Sequence, residues 1–280
     1  MSVGETFTKR LFCFYLPLFF FMVLMLFPFY WMFITSIKPN KELYNVRSLP
    51  FWVFHPTLEH WIYLFKKTLF TRWALNTLFI SITSTAISLV SGIMAGYALS
   101  RLNFKGASIF GTGIFITYLV PQTLLFIPLA EVVHNFHLLD TPWALILTYP
   151  TILIPFCTWL LSGYFKTIPK ELEECARIDG ATRLQAMIWI ILPLAMPGIL
   201  SAGIFAFTLS WNEFIYALVF LSSPTEKTIP VGVVSELIKG DVFFWGSLMA
   251  GALLGSIPVA LIYSFFVEHY VTGLTGAVKG

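Results

Sequence analysis

Six runs of this chain carry no Asp, Glu, Lys or Arg over more than twenty residues: 11–37, 73–100, 106–130, 141–165, 184–212 and 242–267. Nothing else in the sequence restricts the fold so strongly. Each run exceeds the roughly 20 apolar residues that a helix needs to cross a bilayer. Only helices or closed barrels satisfy every backbone N–H and C=O in lipid, and these runs are too long and too uniformly apolar for barrel strands. The composition agrees, since 58% of residues are hydrophobic and 11% charged, against roughly 25% charged in a soluble domain. The expected fold class is therefore an all-α integral membrane protein with six transmembrane helices, at about 13–36, 75–98, 107–129, 142–165, 194–220 and 243–267. The first run is too long for a cleaved leader and no small-x-small site follows it, so it reads as a retained anchor.

Lys and Arg in short loops set the orientation. Lys9 and Arg10 precede the first span, Arg101 and Lys105 lie between the second and third, and Lys166, Lys170, Arg177 and Arg183 lie between the fourth and fifth. The opposite loops, EVVHNFHLLD and SSPTEKTIPVGVVSELIKGD, are acidic or near neutral. Both termini and the loop 166–192 are therefore expected in the cytoplasm. The segment 38–72 disagrees, with Lys38, Lys41, Arg47, Lys66, Lys67 and Arg72 on the outside, but it is longer than a tight loop and its tail, LEHWIYLFKKTLFTRW, reads as interfacial. No soluble domain or repeat is visible, and the chain reads as one membrane domain.

Gly92-x-x-x-Gly96 and Gly251-x-x-x-Gly255 are spacings that let helix backbones approach closely in lipid, though such pairs are common in any polytopic chain. Pro121, Pro150, Pro155, Pro197 and Pro258 predict kinks. No Gly-x-x-x-x-Gly-Lys-Ser/Thr nucleotide loop is present, and ionisable residues are nearly absent from the spans. Glu213, in SWNEF at the outer end of the fifth span, is either an interfacial anchor or has a gate or substrate role. Asn76, Tyr118, Gln122, Asn212 and Glu213 are candidates for a polar path, with hydrogen bonding between helices as the plain alternative. Cys13, Cys157 and Cys175 make no disulfide pattern, and His134-x-x-His137 reads as a wet outer loop before it reads as a metal site.

One passage is charged where its neighbours are apolar: KELEECARIDGATRLQAMIWIILP, Lys170 to Pro193. Pro169 suits the first position of a helix, and Glu171, Glu173 and Glu174 suit its dipole. Leu172, Cys175, Ala176 and Asp179 form a narrow face of mostly small side chains, and Asp179-Gly180 reads as a stop. A second helix resumes near Ala181–Thr182 and runs towards Pro193. Such a pair of helices either docks into another protein's groove or lies solvated or on the headgroups.

This passage resembles the signature loop of ABC importer permeases: Glu-Ala-Ala, three residues, Gly, nine more, then Ile-x-Leu-Pro. Here it stands as Glu174-Cys175-Ala176, Gly180 and Ile190-Ile191-Leu192-Pro193, with Cys175 in place of the first alanine. LFPFYWMFITSIKP, RWALNTLFIS, YALSRLNFKG, LVPQTLLFIPL, LLDTPWALIL and LSWNEFIYAL are similar to further segments of carbohydrate-type permeases, and the ending YVTGLTGAVKG resembles the maltose-permease G type. The resemblance implies a type I ABC importer permease fold in the bacterial inner membrane, with 166–192 as the coupling loop. It also implies a homologous permease subunit (MalF-like), two ATPase subunits that bind the ATP and Mg which this chain does not, an extracytoplasmic solute-binding protein, the lipid bilayer around it and no nucleic acid. Glu174, Cys175, Ala176, Asp179 and Gly180 would then sit in a cleft of the ATPase. The implied cargo is an oligosaccharide, another sugar or glycerol-3-phosphate. A polyol or other solute, an ion-driven secondary transporter and a membrane enzyme are the alternatives, the last two lacking intramembrane charges and a catalytic constellation.

Overall fold

The computed structural model describes residues 10–278. Lys9 and, from the quoted ending, Lys279 and Gly280 lie outside the described residues. The helices are α1 (Leu11–Ile37), α2 (Asn40–Leu43), α3 (Glu59–Lys67), α4 (Phe70–Arg101), α5 (Ala107–Leu119), α6 (Gln122–Asn135), α7 (Pro142–Thr167), α8 (Lys170–Ile178), α9 (Arg183–Leu194), α10 (Met196–Trp211), α11 (Ile215–Phe220), α12 (Ile229–Leu237) and α13 (Trp245–Val278). Between α12 and α13 stands a two-stranded hairpin, β1 (Ile238–Lys239) and β2 (Val242–Phe243), with Ile238 opposite Phe243.

Among the described residues, four helices are long and apolar enough to cross a membrane, α1, α4, α7 and the Trp245–Phe266 part of α13, and the count reaches six if each of two bent pairs is one span. Two of the prolines expected to kink the spans, Pro121 and Pro197, stand at these bends. The expected span 107–129 breaks by 99° between α5 and α6. Pro121 has no N–H to continue the helix, and Val120 before it is extended at ψ 127. The expected span 194–220 is not one helix either. α9 and α10 meet at 77° around Ala195, and Asn212–Phe214 separates α10 from α11. Pro155 and Pro258 lie inside helices, and Pro197 sits in the first turn of α10. The connection 223–241, expected as a loop, contains α12 and β1, because IPVGVVSEL is apolar enough to bury: Ile229, Val231, Val233 and Leu237 are all inside.

The chain divides into two compact units. The first combines the chain up to Phe70 with Val233–Ser256. Its segment between α1 and α4 is held by hydrogen bonds of its own. Lys38 is buried and donates from Nζ to the carbonyls of Leu49 (2.8 Å) and Pro50 (3.2 Å). The Glu42 carboxylate accepts the N–H groups of Phe54 and His55. One of the charges that disagreed with the orientation count, Lys38, is thus engaged inside this segment.

The second unit runs from Thr71 to Gly232 and resumes at Ile257. Its core is built on α7, whose most apolar stretch is 72% buried. Phe156 of α7 stacks on Phe205 of α10 at 4.7 Å, and Tyr149, Leu153, Cys157, Leu161 and Phe165 fill the interior. Gly92 and Gly96 do what their spacing predicts. A Cβ on Gly92 would meet Cys157 Cβ at 2.5 Å, and one on Gly96 would meet the Ser162 nitrogen at 3.1 Å, so α4 lies in backbone contact with α7.

Candidate functional site

The loop after α7 is held in shape by its own backbone. Pro169 stands at the N-cap of α8, one place before the helical position expected for it, with ψ at 134. α8 ends in a Schellman arrangement: Ala181 N–H bonds the Ala176 carbonyl (3.0 Å) and Gly180 N–H bonds the Arg177 carbonyl (3.2 Å). Gly180 itself is left-handed at φ +93. Thr182 then opens α9 with a capping box, its hydroxyl taking Gln185 N–H while Gln185 Oε1 takes Thr182 N–H at 2.8 Å. The result is two helices joined by a turn with both ends satisfied, as the glycine and the second helix predict. The Thr-x-x-Gln signature that fixes the second helix was present in the sequence and unread.

Glu174, Cys175, Asp179 and Gly180 are exposed, and Ala176 is half-buried. Ile178 is 84% exposed and Leu172 43%, so α8 presents apolar as well as charged groups outward. Its inner side is tied to α4. Tyr97, itself buried, donates its hydroxyl proton to Glu173 Oε1 at 2.6 Å. Arg101 Nη2 donates to the carbonyls of Phe165 and Ile168, both at 2.6 Å. Both carbonyls lie at the C-terminal end of α7, where that of Phe165 also accepts the Ile168 N–H (3.3 Å), and a cation suits that end of the dipole. From the sequence, Arg101 counted only towards orientation and Glu173 only towards the helix dipole, and Tyr97 had no role, although YALSRLNFKG contains it.

The five candidate path residues separate into groups. Gln122, Asn212 and Glu213 line one cavity of about 360 Å³ with Tyr149, Ile152, Thr208 and Phe214 among its walls. The Glu213 carboxylate is fixed there by three donors: Tyr149 hydroxyl (2.9 Å), Tyr216 N–H (2.8 Å) and Ala217 N–H (3.1 Å). It therefore also caps α11, a role that the anchor-or-gate alternative did not include. Asn212 Nδ2 donates back to the Thr208 carbonyl at 2.9 Å. Asn76 is elsewhere, its amide donating to the carbonyls of Thr225 (2.8 Å) and Lys227 (3.1 Å). Tyr118 is exposed beside Phe156, with ring centroids 5.9 Å apart. His137 takes a left-handed φ of 55, and no group of three or more His, Cys, Asp or Glu is gathered for a metal among the described residues.

Residues 88–275, which include the capped loop and the cavity, match the family described as "binding-protein-dependent transport system inner membrane component". The chain belongs to this family. The permease is 37% identical over 257 residues to the sulfoquinovosyl glycerol transport system permease protein SmoH of Agrobacterium fabrum, covering 91% of this chain and 89% of that one. It is 33% identical over 264 residues to the trehalose/maltose transport system permease protein MalG of Thermococcus litoralis, covering 92% and 93%. Its fold matches a chain of the crystal structure of "a bacterial ABC transporter involved in the import of the acidic polysaccharide alginate" with a TM-score of 0.81 at 21% identity, covering 96% of this chain and all of that one. The helical membrane fold is thus that of the ABC importer permeases, as the resemblance implied, and the chain is a permease component of such a transporter.

Proposed function

We propose that this permease imports a carbohydrate by coupling its movement to ATP hydrolysis on separate subunits. In this reading it pairs with a homologous membrane subunit, and two ATPase subunits bind below. A solute-binding protein delivers the cargo from outside. Both termini and α8 face the cytoplasm, which fits the Lys and Arg of the short loops. The names of SmoH and MalG support a sugar or glycoside as cargo. The cavity at Gln122, Asn212 and Glu213, close to the ring of Phe214, offers the mixture of hydrogen-bonding and apolar surface that a sugar needs.

The observation that carries the proposal is the capped turn at Asp179–Thr182. A segment that merely connects two helices has no need of a Schellman end, a capping box and an outward Ile178 in succession. A rigid knuckle does, because a partner can displace a rigid element as a body and bias one of two transporter states. In the ATPase cleft the contacts fall to Glu174, Cys175, Ala176, Asp179 and Gly180.

The test is co-purification of the ATPase with the permease, together with solute uptake. Glu174→Lys reverses a charge on the docking face and lowers both. Gly180 has open space around it but a φ that L side chains avoid. Gly180→Val therefore strains the turn by roughly 1–2 kcal/mol, and Gly180→Asn, which tolerates that region, by less. Unchanged assembly and uptake in both Glu174→Lys and Gly180→Val would remove the docking role.

A further inference from the structure

α4 is fixed at both of its ends to segments that no sequence pattern connects with one another. It has 32 residues, so it is roughly 48 Å long and exceeds a hydrocarbon core of about 30 Å. At one end, Tyr97 holds Glu173 of α8 and Arg101 holds the last carbonyls of α7. At the other end, four residues grip the segment 224–229. Arg72 pairs with Glu226 at 2.9 Å and donates from Nε to the Thr225 carbonyl at 2.9 Å. Trp73, fully buried against Gly232, donates from Nε1 to the Pro224 carbonyl at 2.7 Å. Asn76 bonds the carbonyls of Thr225 and Lys227, and the Thr77 hydroxyl accepts Ile229 N–H at 2.8 Å.

We propose that α4 is the rod that joins the coupling loop to the outer loop: Tyr97 and Arg101 take up the displacement of α8, and Arg72, Trp73, Asn76 and Thr77 deliver it to residues 224–229. Tyr97, Arg101 and the four outer residues are positioning residues in this account, and none need touch the solute. The proposal rests on the functional reading above for what moves α8 and for which side is outside. An unbroken helix transmits an axial or tilting movement with little loss, whereas α5–α6 and α9–α10, each broken by a sharp bend, do not. The backbone contact at Gly92 and Gly96 makes α7 travel with α4. Coupling in either direction follows, because a rod that carries α8 movement outward also carries loop movement inward.

The experiment uses the transporter reconstituted in proteoliposomes with its ATPase subunits and solute-binding protein, and reads uptake and ATP hydrolysis together. Tyr97→Phe deletes one hydroxyl, and Glu173→Leu deletes its acceptor. A hydrogen bond to a charged group corresponds to roughly a tenfold or larger change in equilibrium. Each variant is therefore expected to raise the ATP hydrolysed per solute moved about tenfold. Glu173→Gln, which still accepts from Tyr97, restores the ratio. At the far end, Arg72→Gln combined with Asn76→Ala lowers stimulation of ATP hydrolysis by the loaded binding protein by a similar factor, although the changed residues lie roughly 32–38 Å from Tyr97 along the helix.

A second readout is independent of transport. In the purified full-length permease, hydrogen exchange of the 170–178 amides quickens in the Arg72→Gln/Asn76→Ala variant. A wild-type ratio in Tyr97→Phe, or loosening confined to 224–229 in the outer variant, overturns the rod. If wild-type proteoliposomes show no ATP-driven uptake, the functional reading fails instead, and the exchange of 170–178 still decides the rod.

Discussion

Asp140 shows how much a single residue can hold in this protein. It takes a left-handed φ of 60, and its own N–H bonds the Phe220 carbonyl at 2.8 Å. Its carboxylate accepts the N–H groups of Ser222 (2.9 Å) and Ser223 (2.7 Å) together with the Ser223 hydroxyl. Burial works to raise its pKa, but the hydrogen bonds from the Ser223 hydroxyl and from the Ser223 and Ser222 backbone together outweigh it and hold the carboxyl below the usual carboxylate range. The folded pKa is thus below the unfolded one. The clasp contributes fully above the ordinary carboxylate value of about 4, and its contribution is lost as the pH falls through the lowered pKa. Hydrogen exchange at the amides of 222 and 223 should therefore stay protected from neutral pH down to about 4 and then rise. In Asp140→Asn the same amides should exchange faster at neutral pH, without that acid transition. In the sequence, Asp140 was one acidic residue of an outer loop. What it clasps lies 83 residues away in Ser223, and nothing local announces such a partner.

At the scale of elements, glycine spacing proved more informative than proline position. Gly92 and Gly96 were legible as a close-packing signal, and α7 is what they pack against. A methyl group on Gly92 would have to displace Cys157 Cβ and the adjoining backbone rather than a flexible side-chain end. Overpacking of this kind typically costs about 1–3 kcal/mol. Gly92→Ala is expected to lower the thermal midpoint of the detergent-solubilised permease, whereas Gly113→Ala, with nothing within 4 Å of its new methyl, should leave it within error. Equal midpoints for the two would mean that α4 and α7 are not in backbone contact. The prolines were legible only as interruptions. Pro155 and Pro258 stay within helices, while Pro121 accompanies a 99° break. The residue type is the same in each case. What differs is whether neighbouring helices support a continued helix or a turn, and that depends on packing.

For the whole molecule, the relevant quantity is the work that the chain does not do by itself. A secondary transporter keeps ionisable groups inside its bundle for the coupling ion. Here Glu213 is held by three protein donors and caps a helix, and the loop 166–192 carries most of its charge outward. An ATP-driven permease is therefore expected to take up solute in vesicles when ATP is supplied on the side of α8 and the binding protein on the other. An imposed proton gradient without ATP should drive none. Uptake with the gradient alone would return the protein to the ion-driven class. The apolar stretch of α1 has no buried residue, which suits a helix bordered by lipid or by the proposed second membrane subunit.

The sequence by itself determined the chemistry of each segment: which stretches are apolar enough to lie in a membrane, where a helix must stop at Gly180, where glycines permit contact, and which family the charged loop resembles. These properties are local, since hydropathy, capping and glycine conformation depend on residues a few positions apart. Only the tertiary structure decided which helix ends meet. It brought Glu173 to Tyr97 and Glu226 to Arg72, set Gln122, Asn212 and Glu213 around one cavity, and left Asn76 out of it. Within lipid no hydrophobic gradient sorts one apolar helix face from another, so pairing follows shape and a few hydrogen bonds. Those few polar residues carry no periodicity, and their partners are named only once the helices are packed.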